Sequence, residues 1–375
     1  GAILLFMLCF YLSILSRAMF SPLLLSIEED LGISHAAGGS LFFLMSIGYA
    51  PVVFFSGFMA SRVKHRGSIL LSMLCLSLTL LLLSQSRSLA MVRFGSLLMG
   101  MASGLYTASG IATVIHITPL RHRGKAIALH EIAPNLASLS APLIALALVP
   151  FFPWRGILLF IAVATLAAGF VFWRFDRGSH FRGVPPNLSA LRVYLVDRDF
   201  WLLTLFFVVN ACAALGIYSM LPTYLIDERG MDSITANLLV SISRVGSIAI
   251  IFLSGWLVDR FGVIKLIAAS ILLTALPTIL LGAGSGLFLT VAVLLQPMIA
   301  VVFFTPALVA LSKIGPPESR NVAVSITTPL AVLLGGGVYP YILGVLGEMG
   351  QFYIGFIVLG VLMLVCLPLL RFLRL

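Results

Sequence analysis

The sequence predicts an all-α polytopic membrane protein of twelve transmembrane helices, arranged as two pseudo-symmetric six-helix bundles. Three observations predict it. Of 375 residues, 61% are hydrophobic and 10% charged, and the mean hydropathy is +1.14; soluble domains carry about 25% charged residues. The apolar runs are ~20 residues long, as a helix crossing a hydrocarbon core of ~30 Å must be, and none alternates with the period of two that barrel strands require. Finally, the first half of the chain repeats in the second.

Breaks at charged, Pro-rich and Gly-rich junctions place the spans, in order, at residues 2–27, 36–61, 67–86, 88–118, 122–150, 153–174, 199–226, 233–259, 263–282, 286–313, 319–347 and 350–372. The first runs straight into an acidic loop with no A-x-A-like exit, so no cleavable signal peptide is expected. Cys9, Cys75, Cys212 and Cys366 all fall inside apolar spans without C-x-x-C spacing. They read as small core residues, and neither a metal site nor a cofactor is expected.

The charges set the orientation. Every second junction, counting the N-terminus as inside, collects bases: Arg62, Lys64 and Arg66; Arg121, Arg123 and Lys125; Arg174, Arg177, Arg182, Arg192 and Arg198; Arg260 and Lys265; Lys313 and Arg320; Arg371 and Arg374. The opposite junctions hold mainly Glu28, Glu29, Asp30, Asp227, Glu228, Asp232 and Glu348. The positive-inside rule then predicts a multi-pass protein of the cell inner (plasma) membrane with both termini cytoplasmic. The net charge of +10 is accounted for by this topology, with a secondary attraction to anionic membrane lipids, and no nucleic-acid partner is expected.

The longest polar connection, residues 175–198, contains "DRGSHFRGVPP" and separates an N-terminal bundle, 1–174, from a C-terminal one, 199–375. The halves align without a gap over their first and second hairpins. Gly32/Gly230, Gly48/Gly246, Gly57/Gly255 and Arg62/Arg260 are each 198 positions apart, as are Pro142 and Pro340. Parallel internal repeats of this kind mark a transporter built from two bundles around a central cavity.

In "GWLVDRFGVIK", residues 255–265, Gly255, Asp259, Arg260, Gly262 and Lys265 lie on one expected cytoplasmic hairpin. The pattern resembles the G-x-x-x-D-R-x-G-x-x-K/R loop signature of the major facilitator superfamily. Its physical logic is a tight turn at a close helix contact, with Asp259 placed to accept from helix N-terminal amides or a base. The first-half counterpart, "GFMASRVKHR", keeps Gly57, Arg62 and Arg66 but has Ser61 where the family has Asp. "RGKAIALHEIAPNLASLSAP", residues 123–142, and "PWRGILLF", residues 153–160, also resemble family stretches, so the likeness covers nearly the whole chain. It implies a secondary transporter that is not an enzyme, with Gly255, Asp259, Arg260 and Arg62 governing conformational gating. Span five has only "SAP" at Ser140–Pro142 where the superfamily's drug/proton antiporters have paired Gly-Pro and Gly-Gly.

Ionisable groups at mid-span cost about 2.5–3.5 kcal/mol each and are functional hypotheses by default. Arg17 lies about fifteen residues into span one, roughly 22 Å along the helix, between Ser13 and Ser21 at i−4 and i+4. Arg244 lies about eleven residues into span eight, with Asn237, Ser241 and Ser247 on its face. Two guanidiniums at similar depth suit a bidentate clamp on a carboxylate, phosphate or similar oxyanion; the alternative is that each pairs with a buried acid for folding. Glu131, in span five with Asn135 and Ser138 at i+4 and i+7, is either a carrier of a coupling proton, a partner of Arg17 in one conformation, or a structural lock. His130, about 100° around the helix from it, is a second proton candidate facing a neighbouring helix. Asn210, Gln296, Tyr106, Tyr218 and Tyr339 are further candidates to bind the ligand, or else ties in helix packing. "GMASGLYTASG", residues 100–110, reads as small-residue helix packing, and "LLGGGVYPY", residues 333–341, as a flexible or kinked segment.

The expected function is therefore secondary active transport of a small organic anion of carboxylate type by alternating access, coupled to protons. The resemblance is to organic-anion members of the superfamily. The partners are that anion, protons and membrane lipids, and the protein is expected to be monomeric. An exporter or flippase of amphiphilic compounds or lipids, and a transporter of inorganic oxyanions, are the alternatives. No paired catalytic carboxylates, Ser/His pair or His/Cys cluster supports an enzyme.

Overall fold

The computed structural model describes residues 2–176, 178–183, 188–315 and 320–373. Arg177, Arg374, linker positions 184–187 and the side chain of Arg320 lie outside the described residues. Eleven helices among the described residues are long and apolar enough to cross a membrane. One of them, His35–Ser84, has 50 residues, more than twice what a bilayer needs. It breaks at Lys64, whose φ of 63° and ψ of 167° are not helical, and so supplies two spans.

The twelve spans are α1 (Ile3–Leu31), α2 and α3 (35–63 and 65–84), α4 (Leu89–Ile117), α5 (Lys125–Leu148), α6 (Trp154–Phe175), α7 (Arg198–Glu228), α8 (Ser233–Phe261), α9 (Val263–Ala283), α10 (Gly286–Leu311), α11 (Val322–Glu348) and α12 (Phe352–Phe372). Helices are the form in which a span satisfies its own backbone in lipid. Compact units are formed by Gly1–Pro186 and Asn187–Leu375.

In the first unit α4 lies against α2 with almost no side chain between them. A Cβ on Gly100 would collide with the Met45 carbonyl, and one on Gly48 with the Leu97 carbonyl. The small-residue run 100–110 therefore works as a packing surface. Phe6, Phe10, Met73, Tyr106 and Phe172 fill the core beside it. Where the chain turns from α2 to α3, residues 178–183 fold back onto the turn: His65 N–H donates to Phe181 O (3.2 Å), Arg66 N–H to Ser179 O (2.9 Å) and Gly183 N–H to Ala60 O (3.1 Å). Asp176 stands 3.9 Å from Arg66 Nε. The acid absent at Ser61 is thus replaced, for Arg66, by one from the end of α6.

Proline shapes three spans. Pro22 has no N–H for the Ala18 carbonyl, and α1 interrupts its helical ladder at Met19. Pro134 likewise leaves the His130 carbonyl unpaired, and α5 breaks at Glu131. In α7, Pro222 is flanked by π-helical stretches at Cys212–Gly216 and Tyr224–Glu228. The "LLGGGVYPY" segment of α11 is also π-helical, at Leu334–Val338. The two inner π segments touch backbone to backbone, since a Cβ on Gly335 would lie 2.6 Å from Cys212 N. Such insertions recur at functional sites.

In the second unit, one carboxylate fastens the end of α7 to the start of α12. Glu228, closing α7, accepts from the N–H groups of Phe352 (2.6 Å) and Tyr353 (3.1 Å), at the start of α12, where amides have no acceptor within their own helix. Glu228→Ala is expected to destabilise the protein by about 1 kcal/mol, read as a lower thermal-unfolding midpoint in detergent.

Candidate functional site

Arg17 follows from α1 carrying serines on one face: Ser13 and Ser21 are buried, so the stripe that holds the arginine points into the unit and away from lipid. Its guanidinium carbon sits 4.7 Å from the centre of the Tyr49 ring of α2. Arg244 repeats the arrangement in the second unit, 4.2 Å from the centre of the Tyr218 ring of α7. Each contact is a cation over an aromatic face, worth roughly 0.5–2 kcal/mol.

Neither arginine has an ion-pair partner among the described residues. Among the described residues the ion pairs join His35 to Glu28, Arg66 to Asp176, His130 to Glu131 and Arg155 to Asp30. Among the described residues, no buried acid pairs with either arginine. On α8, Asn237 Oδ1, Ser241 Oγ and Arg244 Nε are all buried without a hydrogen-bond partner. Positions 237, 241 and 244 share one helix face, so the arginine belongs to a row of unspent polar atoms. Buried groups of this kind are ordinarily satisfied.

Glu131 does not bond Arg17. The break at Pro134 turns its carboxylate to the preceding side chain, and Oε1 lies 3.2 Å from His130 Nδ1. Two residues expected to point apart are therefore in contact. His130 is buried and stacked on Phe10, with ring centres 4.6 Å apart. Its Nε2 is 3.1 Å from Tyr106 Oη, and the same hydroxyl donates to Phe6 O at 2.5 Å. The protons can be counted. Tyr106 spends its single proton on a carbonyl, so the bond to His130 needs a proton on Nε2. The contact from Nδ1 to Glu131 then holds only with one more proton between them, either as imidazolium and carboxylate or as neutral imidazole and carboxylic acid. Glu131 is 44% exposed and His130 is buried, so the carboxylate is the more accessible member of the pair.

The other candidates are more deeply engaged in packing. Asn210 Nδ2 donates to Ala300 O (3.1 Å), Gln296 Nε2 to Ala213 O (2.9 Å) and Tyr339 Oη to Gly355 O (3.1 Å). Tyr106 is fully buried with both of its bonds named above. Asn210 Oδ1 is left unpartnered. In the loop motif, Gly262 has a φ of +81°, a conformation natural to glycine, so the expected tight turn forms there. Asp259 and Arg260 are exposed, Arg260 lying 5.4 Å from the Trp256 ring centre. The close helix contact expected at Gly255 is absent within its unit, where a Cβ would meet open space. Arg62 is likewise exposed. Two partners escaped the sequence reading: Tyr49, and Asp176. Among the described residues no group of three His, Cys, Asp or Glu side chains is arranged to hold a metal.

Comparison with known families decides the classification. A family model described as Major Facilitator Superfamily matches residues 6–243 and again 227–375. The chain belongs to the Major Facilitator Superfamily. It is accordingly a multi-pass membrane transporter, and the superfamily's all-helical fold is the one described above. No curated protein matches the sequence closely. Solved structures match it over nearly its whole length. A bacterial homologue of the human lysosomal transporter Spinster has a TM-score of 0.82 at 15% identity, covering 99% of this chain and 96% of that one. A D-xylose–proton symporter has a TM-score of 0.80 at 16% identity, covering 97% and 96%. The human organic anion transporter MFSD10 has a TM-score of 0.73 at 17% identity, covering 98% of both chains. At these identities the likeness is one of fold.

Proposed function

We propose that this superfamily member is a proton-coupled secondary transporter of a small organic anion of carboxylate type, working by alternating access. The observation that supports it is the pair of intramembrane arginines, each stacked on a tyrosine and each without an acid partner among the described residues. Both arginines are half-buried; a partly desolvated cation with no acid partner among the described residues is stabilised when an anion arrives, and the guanidinium fork matches a carboxylate bidentately. Arg17 and Arg244 are the residues that receive the acidic group, with Tyr49 and Tyr218 holding the two forks in plane. Asn237 and Ser241 supply the neutral polar contacts on α8. Glu131 and His130 carry the coupling proton, and Arg62, Gly255, Asp259 and Arg260 act in gating. The base-rich junctions support a reading with both termini cytoplasmic and the protein in the plasma membrane. By name, one structural neighbour transports organic anions and another is a proton symporter; the residues, more than the fold, carry the proposal here.

The test is uptake into proteoliposomes with an inside-alkaline pH gradient. Labelled mono- and dicarboxylates are expected to accumulate with acidification of the lumen, and nitrate, sulfate and phosphate are not. Accumulation of inorganic oxyanions alone would replace the carboxylate reading. Movement of amphiphiles alone would replace the anion reading by export or lipid flipping.

A further inference from the structure

The first unit holds a cavity, about 790 Å³ in volume, between α2, α3 and α4, and neither arginine–tyrosine pair lines it. Its walls are almost entirely apolar. Several of the side chains that line it, Phe55, Leu78 and Met101 among them, are also exposed on the unit's surface, so the cavity opens sideways among groups that face hydrocarbon. Along α2 it runs from Val52 to Arg62. Ten residues of helix are roughly 15 Å, half of a ~30 Å hydrocarbon core, and hence the depth of one leaflet.

The cavity has a single charge, Arg62, at the end where α2 leaves the membrane. Arg62 makes no ion pair among the described residues. The reason lies in the sequence: the family's usual acid is Ser61 here, and Asp176 is committed to Arg66. Two more bases stand at the same corner. Lys64 is in the turn itself, and Arg182 precedes Gly183, whose N–H donates to Ala60 O; both are exposed. An apolar slot one leaflet long, opening to lipid and crowned by free cations, has the form of an anionic amphiphile.

We propose that this cavity is a binding site for an anionic glycerophospholipid of the bilayer, with one acyl chain between α2, α3 and α4 and its phosphate at Arg62, assisted by Lys64 and Arg182. Basic pockets between transmembrane helices hold anionic headgroups in this way. The slot selects its ligand twice, by chain through the apolar walls and by headgroup charge through Arg62. The site does not depend on which anion is transported, and it would stand if the carboxylate reading failed.

Native mass spectrometry of the detergent-purified protein with added phosphatidylglycerol or phosphatidylcholine tests the site. The parent is expected to retain one phosphatidylglycerol through delipidation and to retain phosphatidylcholine about fivefold less. Arg62→Gln is expected to bring the two lipids to the same level, since one base near a headgroup is worth about a fivefold change in binding. Cys75→Trp, which fills the slot from α3 and leaves the bases in place, is expected to lower retention of both. Equal retention of the two lipids by the parent would overturn the headgroup assignment. Unchanged retention in a folded Cys75→Trp protein would overturn the acyl-chain assignment. Leu105→Trp, from α4, takes its place if the first variant does not fold.

Discussion

Arg244→Gln is expected to reduce substrate uptake about 100-fold while leaving the protein at least as stable to heat as the parent. The two effects have one cause. Losing a desolvated charge–carboxylate contact costs about 3 kcal/mol of binding, which is a factor of about 100. A structural arginine would behave oppositely on the stability axis, because breaking a buried ion pair costs 3–5 kcal/mol. Arg244 has no such pair among the described residues, its Nε is buried unpartnered, and its guanidinium lies over the Tyr218 ring. Removing it relieves an insertion cost of about 2.5–3.5 kcal/mol and loses a cation–π contact of roughly 0.5–2 kcal/mol. The difference, roughly 0.5–3 kcal/mol, is offset in part by the burial of the glutamine amide, so the variant is expected to be at least as stable as the parent. Arg17→Gln is expected to follow the same pattern against Tyr49. The lysine variants should fall between, since charge persists but the planar fork is lost. Uptake from proteoliposomes and thermal unfolding in detergent are measured on each variant. A variant that unfolds several degrees early yet transports normally would mark its arginine as a folding element and remove it from the binding site.

The helices were legible in the sequence because lipid imposes a length and a polarity on every span, and these survive any detail of packing. The two arginines were legible for the same reason: a charge at mid-span is conspicuous against hydrocarbon. Their partners were not. Arg244 lies 198 positions after Ser46, and Tyr218 lies 198 after Phe20, so the repeat does not place equivalent residues together. The stack is built twice with the helices exchanged. In the first unit the first helix carries the arginine and the second the tyrosine; in the other unit α7 carries the tyrosine and α8 the arginine. A repeat read by register hides this, and Tyr49 is one aromatic among many until the hairpin closes. Asp176 was hidden differently, inside a stretch whose composition reads as linker but which folds back on the α2–α3 turn. The 100° spacing of Glu131 and His130 assumes an unbroken helix, and the break in α5 before Pro134, which the sequence reading passed over, is what lets the two meet.

Glu131→Gln is expected to abolish uptake driven by a pH gradient, by tenfold or more, and to leave exchange of labelled for unlabelled substrate near the parental rate. The proton count gives the reason. Tyr106 donates to Phe6 O, so His130 keeps its proton on Nε2 and meets residue 131 through Nδ1. In the parent, that last contact requires a proton that can leave. A glutamine amide donates to the bare Nδ1 permanently, and so imitates the carboxylic acid without being able to ionise. The variant is held in the proton-loaded arrangement. Exchange, in which the carrier crosses the membrane loaded in both directions, does not need the proton released; accumulation does. Glu131→Ala removes the donor as well as the charge, and should impair both assays if the contact also shapes the α5 break. Two results would refute the assignment. Parental accumulation in Glu131→Gln would mean that the proton travels elsewhere. Equal loss of exchange and accumulation would reduce Glu131 to the structural lock that the sequence left open, because a lock is needed in every step of the cycle and a coupling proton only in the steps that return the carrier empty.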